Sequence, residues 1–179
     1  METVIFALEI IGVTASAVSG AFTAIHKKMD AFGVTILGLV TATGGGVIRD
    51  LILGNTPPKI FRDPTYGIIA MLVSILTFIA VYLHKLHYGT KLYERIMLVM
   101  DTIGLAAYTV SGMGVAYSLP ENYSLYLIIF VGVITGVGGG VLRDVLAGNR
   151  PYIFVKHIYA LASIAGALLY AAMRGIAGD

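Results

Sequence analysis

The sequence predicts an all-α integral membrane protein made of two inverted three-helix repeats. Three observations predict it. Of its 179 residues, 58% are hydrophobic and only 12% are charged, with a mean hydropathy of +0.87. A soluble domain carries about a quarter charged residues, so lipid is the natural solvent for this chain. The apolar residues fall into long continuous runs rather than the alternating pattern of a barrel strand. Finally, the stretch GGGVIRDLILGN at Gly44–Asn55 returns as GGGVLRDVLAGN at Gly138–Asn149, identical at eight of twelve positions.

The elements follow in order. The first apolar run, near 4–25, begins after Met1-Glu2. It lacks the basic leader of a secretory signal and is longer than a signal's apolar core, so it is read as a mature membrane span. Further spans are expected near 32–53, 66–83, 96–117 and 125–147, and a shorter one near 158–173 ends at Met173-Arg174. Pro57, Pro58, Pro64, Pro120 and Pro151 all lie between spans, where a missing N–H does least harm. Gly54-Asn55 and Gly148-Asn149 have the form of helix C-terminal stops.

The span before each glycine triplet is also repeated. Glu9–Gly20 (EIIGVTASAVSG) aligns with Asp101–Gly112 (DTIGLAAYTVSG), with six of twelve residues identical and the acid kept as an acid. The chain is therefore divided into residues 1–90 and 91–179, two copies within one membrane domain. A unit of three spans re-enters the membrane from the opposite side when repeated, so the copies are related by an axis in the membrane plane, an arrangement found in transport proteins. Basic residues set the orientation. Lys27, Lys28, Lys85, Lys91, Arg95, Arg150 and Lys156 gather on one side, against Lys59, Arg62 and Arg174 on the other. The first side is expected in the cytoplasm and the N-terminus outside.

The triplets Gly44, Gly45, Gly46 and Gly138, Gly139, Gly140 are weak helix formers, by about 1 kcal/mol per glycine. Two readings stand: close helix packing through small residues, or a kink in the second and fifth spans that bares backbone onto a polar pathway. The kink is the favoured expectation. Arg49, Asp50, Arg143 and Asp144 are expensive at membrane depth, where an arginine costs about 3 kcal/mol. At about 1.5 Å per residue, Arg49 and Glu9 reach similar depths, as do Arg143 and Asp101. Ion pairs Glu9–Arg49 and Asp101–Arg143 are expected, one near each mouth. The neighbours Arg49 and Asp50, about 100° apart on a helix, are not expected to pair well. Asp50 and Asp144 are candidates for capping backbone or attracting cations. Ser16, Thr43, Tyr108 and Thr135, with Ser19 and Ser111, are candidate polar lining, although such hydroxyls commonly bond their own helix.

Several classes are excluded or disfavoured. The chain has no cysteine, and its four histidines, His26, His84, His87 and His157, lack metal-site spacing. No paired-carboxylate site, nucleophile triad or phosphate loop is present, so no enzyme, metal or cofactor is expected. A net charge of +2 gives no reason to expect a nucleic-acid partner.

The doubled GGGV-[IL]-RD with its trailing GN, and the acid-x-x-G…S-G pattern at Glu9–Gly20 and Asp101–Gly112, resemble the prokaryotic branch of the trimeric intracellular cation channel family. The resemblance covers nearly the whole chain. It implies a homotrimer in lipid whose subunits each enclose a pore for monovalent cations, chiefly potassium, with bends at the glycine triplets. Members usually carry a seventh helix after the second repeat, whereas this chain stops at Asp179 after its sixth span; either the sequence is cut short before that helix or the protein lacks it, and the repeat does not depend on it. The long basic tail of the animal members is also missing, which favours a prokaryotic cell membrane. Some bacterial relatives are assigned glycine transport, so a carrier for glycine or another small zwitterion is the alternative.

Overall fold

A computed structural model describes residues 2–83, 90–121, 123–155 and 157–177. His84, Lys85, His87 and Lys156, used above in the metal and charge arguments, lie outside them. So do the side chains of Lys91 and His157. The described residues form helices only, in the order α1 (Glu2–His26), α2 (Ala31–Ile52), α3 (Lys59–Arg62), α4 (Thr65–Leu83), α5 (Thr90–Ser118), α6 (Leu125–Leu146), α7 (Tyr152–Val155) and α8 (His157–Ala177). Five helices are long and apolar enough to cross a membrane, and α8 contributes a shorter apolar stretch, Ala160–Ile176. The protein is a multi-pass membrane protein.

Local chemistry sets the ends. Asp30 caps α2 by accepting from the Gly33 N–H at 2.8 Å, and Ser124 caps α6 through Leu127 N–H at 3.3 Å. Each of these helices stops in a left-handed glycine, Gly54 at φ 71° and Gly148 at φ 67°. Asn55 N–H then bonds Asp50 C=O, and Asn149 N–H bonds Asp144 C=O, both at 2.8 Å. With Gly54 N–H to Leu51 and Gly148 N–H to Val145, these bonds make a Schellman end at both Gly-Asn pairs.

The centre of the bundle is α1, α2, α5 and α6. Helix α1 packs on α2 and α5, α6 packs on the same two, α4 covers α1 and α2, and α8 covers α5 and α6. The contacts α1–α5 and α2–α6 are antiparallel. Gly12 faces Tyr108 while Ser16 faces Gly104, and Thr41 faces Gly139 while Gly45 faces Thr135. Aliphatic side chains on the outer face of α4, including Leu72 and Leu76, remain exposed, as expected where hydrocarbon is the solvent.

Both triplets lie inside continuous α-helix, and what they supply at the helix crossing is a missing side chain. A Cβ on Gly45 would overlap the Thr135 carbonyl oxygen, and one on Gly139 would overlap that of Thr41. Gly44 meets the end of the Leu142 side chain, and Gly138 meets Gly45 Cα. The triplets let α2 and α6 cross backbone to backbone.

Candidate functional site

Two buried charge clusters stand near opposite ends of α1. Glu9 belongs to the first and Ser19 to the second, about 15 Å apart at helical rise. Each is centred on an arginine from the last turn of a glycine-triplet helix.

In the first, Arg49 is 4% exposed. Its Nη1 lies 3.2 Å from Glu9 Oε1, and its Nε donates to Asp50 Oδ1 at 2.8 Å. The expected Glu9–Arg49 contact is thus present, and the expectation that Arg49 and Asp50 would not pair is corrected. Helical angle positions the Cβ atoms, but a guanidinium on a long stem folds back, and its planar fork serves two carboxylates on two edges. Asp50 Oδ2 meanwhile accepts the Lys59 N–H at 2.8 Å, clamping the start of α3. Glu9 Oε2 takes Lys59 Nζ at 2.8 Å and the Tyr66 hydroxyl at 2.7 Å, and Nζ also donates to Tyr66 Oη at 2.9 Å. Burial pulls the Lys59 ammonium down, but its bonds to Glu9 and Tyr66 outweigh this and hold its pKa above the ordinary lysine value.

The second cluster repeats this plan. Arg143, 1% exposed, places Nε 2.9 Å and Nη2 2.8 Å from Asp144 Oδ1. Its Nη1 reaches Asp101 Oδ1 at 2.5 Å and also bonds the Ser19 hydroxyl, which donates to the same Asp101 oxygen at 2.6 Å. Asp144 Oδ2 accepts the Tyr152 N–H at 2.8 Å, clamping α7. Among the described residues every buried side-chain nitrogen or oxygen has a hydrogen-bond partner, the condition for ionic groups to persist in a low-dielectric interior.

The clusters differ in what covers them. Around Glu9, Arg49 and Asp50 the free space is about 40 Å³, lined also by Lys59, Tyr66 and Tyr108, and a separate cavity of about 590 Å³ reaches Arg49 and Lys59 past Phe6, Asn55 and Leu119. Around Asp101, Arg143 and Asp144 an open cavity of about 600 Å³ runs out past Tyr93, Arg95, Arg150 and Tyr152. Position 108 aligns with Ser16 in the other half. The Tyr108 ring lies on Gly12 and its hydroxyl donates to Ala42 C=O at 2.6 Å, whereas Ser16 leaves the space against Gly104 small.

The remaining candidates divide. Thr43 lines the small cavity, although its hydroxyl bonds Leu39 C=O at 2.8 Å. Thr135 bonds its own helix through Val131 C=O and packs on Gly112. Ser19 bonds across helices, which its sequence position did not reveal. Lys59 and Tyr66 were missed. Lys59 sits between spans and had been counted only toward the charge bias, and the sole pointer to it was the stiff Pro57-Pro58 turn that aims it back at the bundle.

A sequence family described as Glycine transporter matches residues 6–82 and 98–175. The inner membrane protein YadS of Escherichia coli K12 is 40% identical over 167 residues, covering 93% of this chain and 77% of that protein. The Bacillus subtilis membrane protein YvgT is 37% identical over 162 residues, covering 90% and 77%. A solved TRIC trimeric intracellular cation channel orthologue from Rhodobacter sphaeroides superimposes with TM-score 0.84 at 34% identity, over 94% of this chain and 84% of that one. The chain belongs to the TRIC channel family. A second solved TRIC cation channel is 39% identical, with TM-score 0.78, over 93% of this chain and 79% of that one. The TRIC fold therefore covers nearly the whole chain.

Proposed function

We propose that the protein is a monovalent cation channel, permeable to potassium, with a pore inside each subunit of a homotrimer. The observation that carries this reading is the charge count at each end. One buried arginine faces two carboxylates, Glu9 and Asp50 at one end and Asp101 and Asp144 at the other, leaving a formal net charge of −1 on each trio. Such a site attracts a cation and repels an anion, most strongly where low-dielectric walls focus the field. The trimeric cation channels among its structural neighbours support the same reading. The Glu9, Arg49, Asp50 trio and the Asp101, Arg143, Asp144 trio then stand at the two mouths, and the α2–α6 crossing at the triplets stands between them as the element that must part or bend to conduct. The halves 1–90 and 91–179 act as inverted copies, a view supported by the antiparallel contacts and matching clusters. Basic residues place the Asp101 end in the cytoplasm and the N-terminus outside, in the cell membrane.

Purified protein in a planar bilayer under a potassium gradient tests this. Stepwise currents reversing near the potassium potential, reduced by Asp101→Asn, are the expected outcome. A protein that passes no cation current would sink the reading. One observation favours a second reading. The matching family is described as Glycine transporter, and inverted halves are also the form of many carriers. Saturable glycine uptake without unitary currents identifies that case.

A further inference from the structure

We infer that Lys59 is a tethered blocking cation, holding the Glu9 mouth shut by occupying the carboxylate oxygen that an entering ion would use. This rests on the channel reading above and adds a regulatory part to it. The two trios carry the same formal charge, but among the described residues only the first has a further cation bonded to one of its carboxylates, Lys59 on Glu9. Lys59 Nζ sits against Glu9 Oε2 at 2.8 Å and Tyr66 Oη at 2.9 Å, with the ammonium 4.7 Å from the centre of the Tyr66 ring. Two oxygens and a ring face thus converge on one positive charge, an environment suited to any compact monovalent cation. The lysine brings the formal charge of the first cluster from −1 to zero.

The matching position in the other half is Tyr152, which opens α7 as Lys59 opens α3 and gives its N–H to Asp144 as Lys59 gives its own to Asp50. A tyrosine at that position carries no ammonium. Lys59 lines both spaces of its own mouth, an outer cavity of about 590 Å³ that reaches Arg49 and the small one of about 40 Å³ at Glu9, whereas at the other mouth a single cavity of about 600 Å³, with Arg95 and Arg150 along it, reaches Asp101 and Asp144 directly. The plug is also built to release. Its side chain is 38% exposed, it rides on a four-residue helix, and a long flexible stem lets the ammonium swing out to water without moving a span.

Because the chain has no cysteine, Lys59→Cys introduces a unique thiol. In a potassium bilayer the Lys59→Cys channel is expected to pass about tenfold more current than wild type at low voltage, the ratio set by losing about 1.4 kcal/mol of closure. Aminoethyl methanethiosulfonate then rebuilds the plug. The thiolate attacks the reagent's sulfenyl sulfur and methanesulfinate leaves, so an ammonium hangs from position 59 by a disulfide. Current should fall back toward wild type, and dithiothreitol should restore it. The neutral methyl methanethiosulfonate should leave the current high. If wild type conducts but Lys59→Cys does not raise the current, or if the charged and neutral reagents act alike, the plug is refuted while the channel stands. If the variant does not fold, Lys59→Met must show the same rise, and a current no higher than wild type overturns the proposal. Silence from every form removes the channel reading and the plug together.

Discussion

Replacing Gly45 by alanine tests the helix crossing most sharply. The new Cβ would overlap the Thr135 carbonyl oxygen, and Gly139 N lies 3.4 Å away. These are backbone atoms, so no side chain can rotate clear and α2 must move off α6. Overpacking of this kind costs about 1–3 kcal/mol, with rigid backbone contacts toward the upper end. Alanine's better helix propensity returns about 1 kcal/mol, leaving a net loss of about 2 kcal/mol. Gly46 is the control from the same triplet. Its only near neighbour is Arg49 Nη2 at 3.8 Å, so Gly46→Ala should gain about 1 kcal/mol. At about 2–4 °C per kcal/mol for a chain of this size, the two variants should melt about 6–12 °C apart. Circular dichroism in detergent is the assay, since the chain has no tryptophan for fluorescence. Equal melting of the two variants, or a greater loss at Gly46, would refute the argument that the triplets serve the crossing.

Other outcomes follow from the clusters. Arg143→Met leaves Asp101 and Asp144 without their shared partner and should cost about 3–5 kcal/mol, and Arg143→Lys should not rescue it, because one ammonium cannot replace three guanidinium nitrogens; denaturation in mixed micelles checks both. Lys59 contributes through a raised pKa, so its stabilisation is fully present below the ordinary value of 10.5 and is lost as pH rises through the raised value. The melting difference between wild type and Lys59→Met should stay flat across neutral pH and close only in strong alkali. Hydrogen bonds from the Thr65 side chain and backbone hold Asp63 below its ordinary 3.8, so its contribution is present above that value and fades on acidification, a loss that Asp63→Asn should not show. Tyr108→Ser, which makes position 108 like Ser16, should cost about 3–5 kcal/mol as a large-to-small change. It should also let a polar thiol reagent reach a cysteine placed at Val13, which wild-type packing should prevent.

How far the sequence carried is visible residue by residue. The Glu9–Arg49 and Asp101–Arg143 pairs were legible because helical rise fixes depth, and two opposite charges at one depth in lipid have few alternatives. The Gly-Asn stops were legible because a left-handed end asks for glycine. The Arg49–Asp50 contact was hidden, since angular spacing locates Cβ atoms and says little about the tip of a long side chain. Of the two readings of the triplets, the close approach of α2 and α6 is visible at Gly45 and Gly139, because a missing Cβ reads directly as room for a neighbour's backbone. Lys59 and Tyr66 lay beyond reach because a loop residue's target depends on how the turn at Pro57-Pro58 folds back, which no periodicity encodes.

The exchange of Ser16 for Tyr108 across the two halves has a consequence for polarity of use. Two equal copies would make a passage indifferent to which way round it is read. One aromatic ring on Gly12 ends that equivalence: one half packs a tyrosine against its neighbour where the other packs a serine. In a passive channel a reversed gradient still reverses the flow, so unequal ends can only make the flux larger one way than the other at equal driving force.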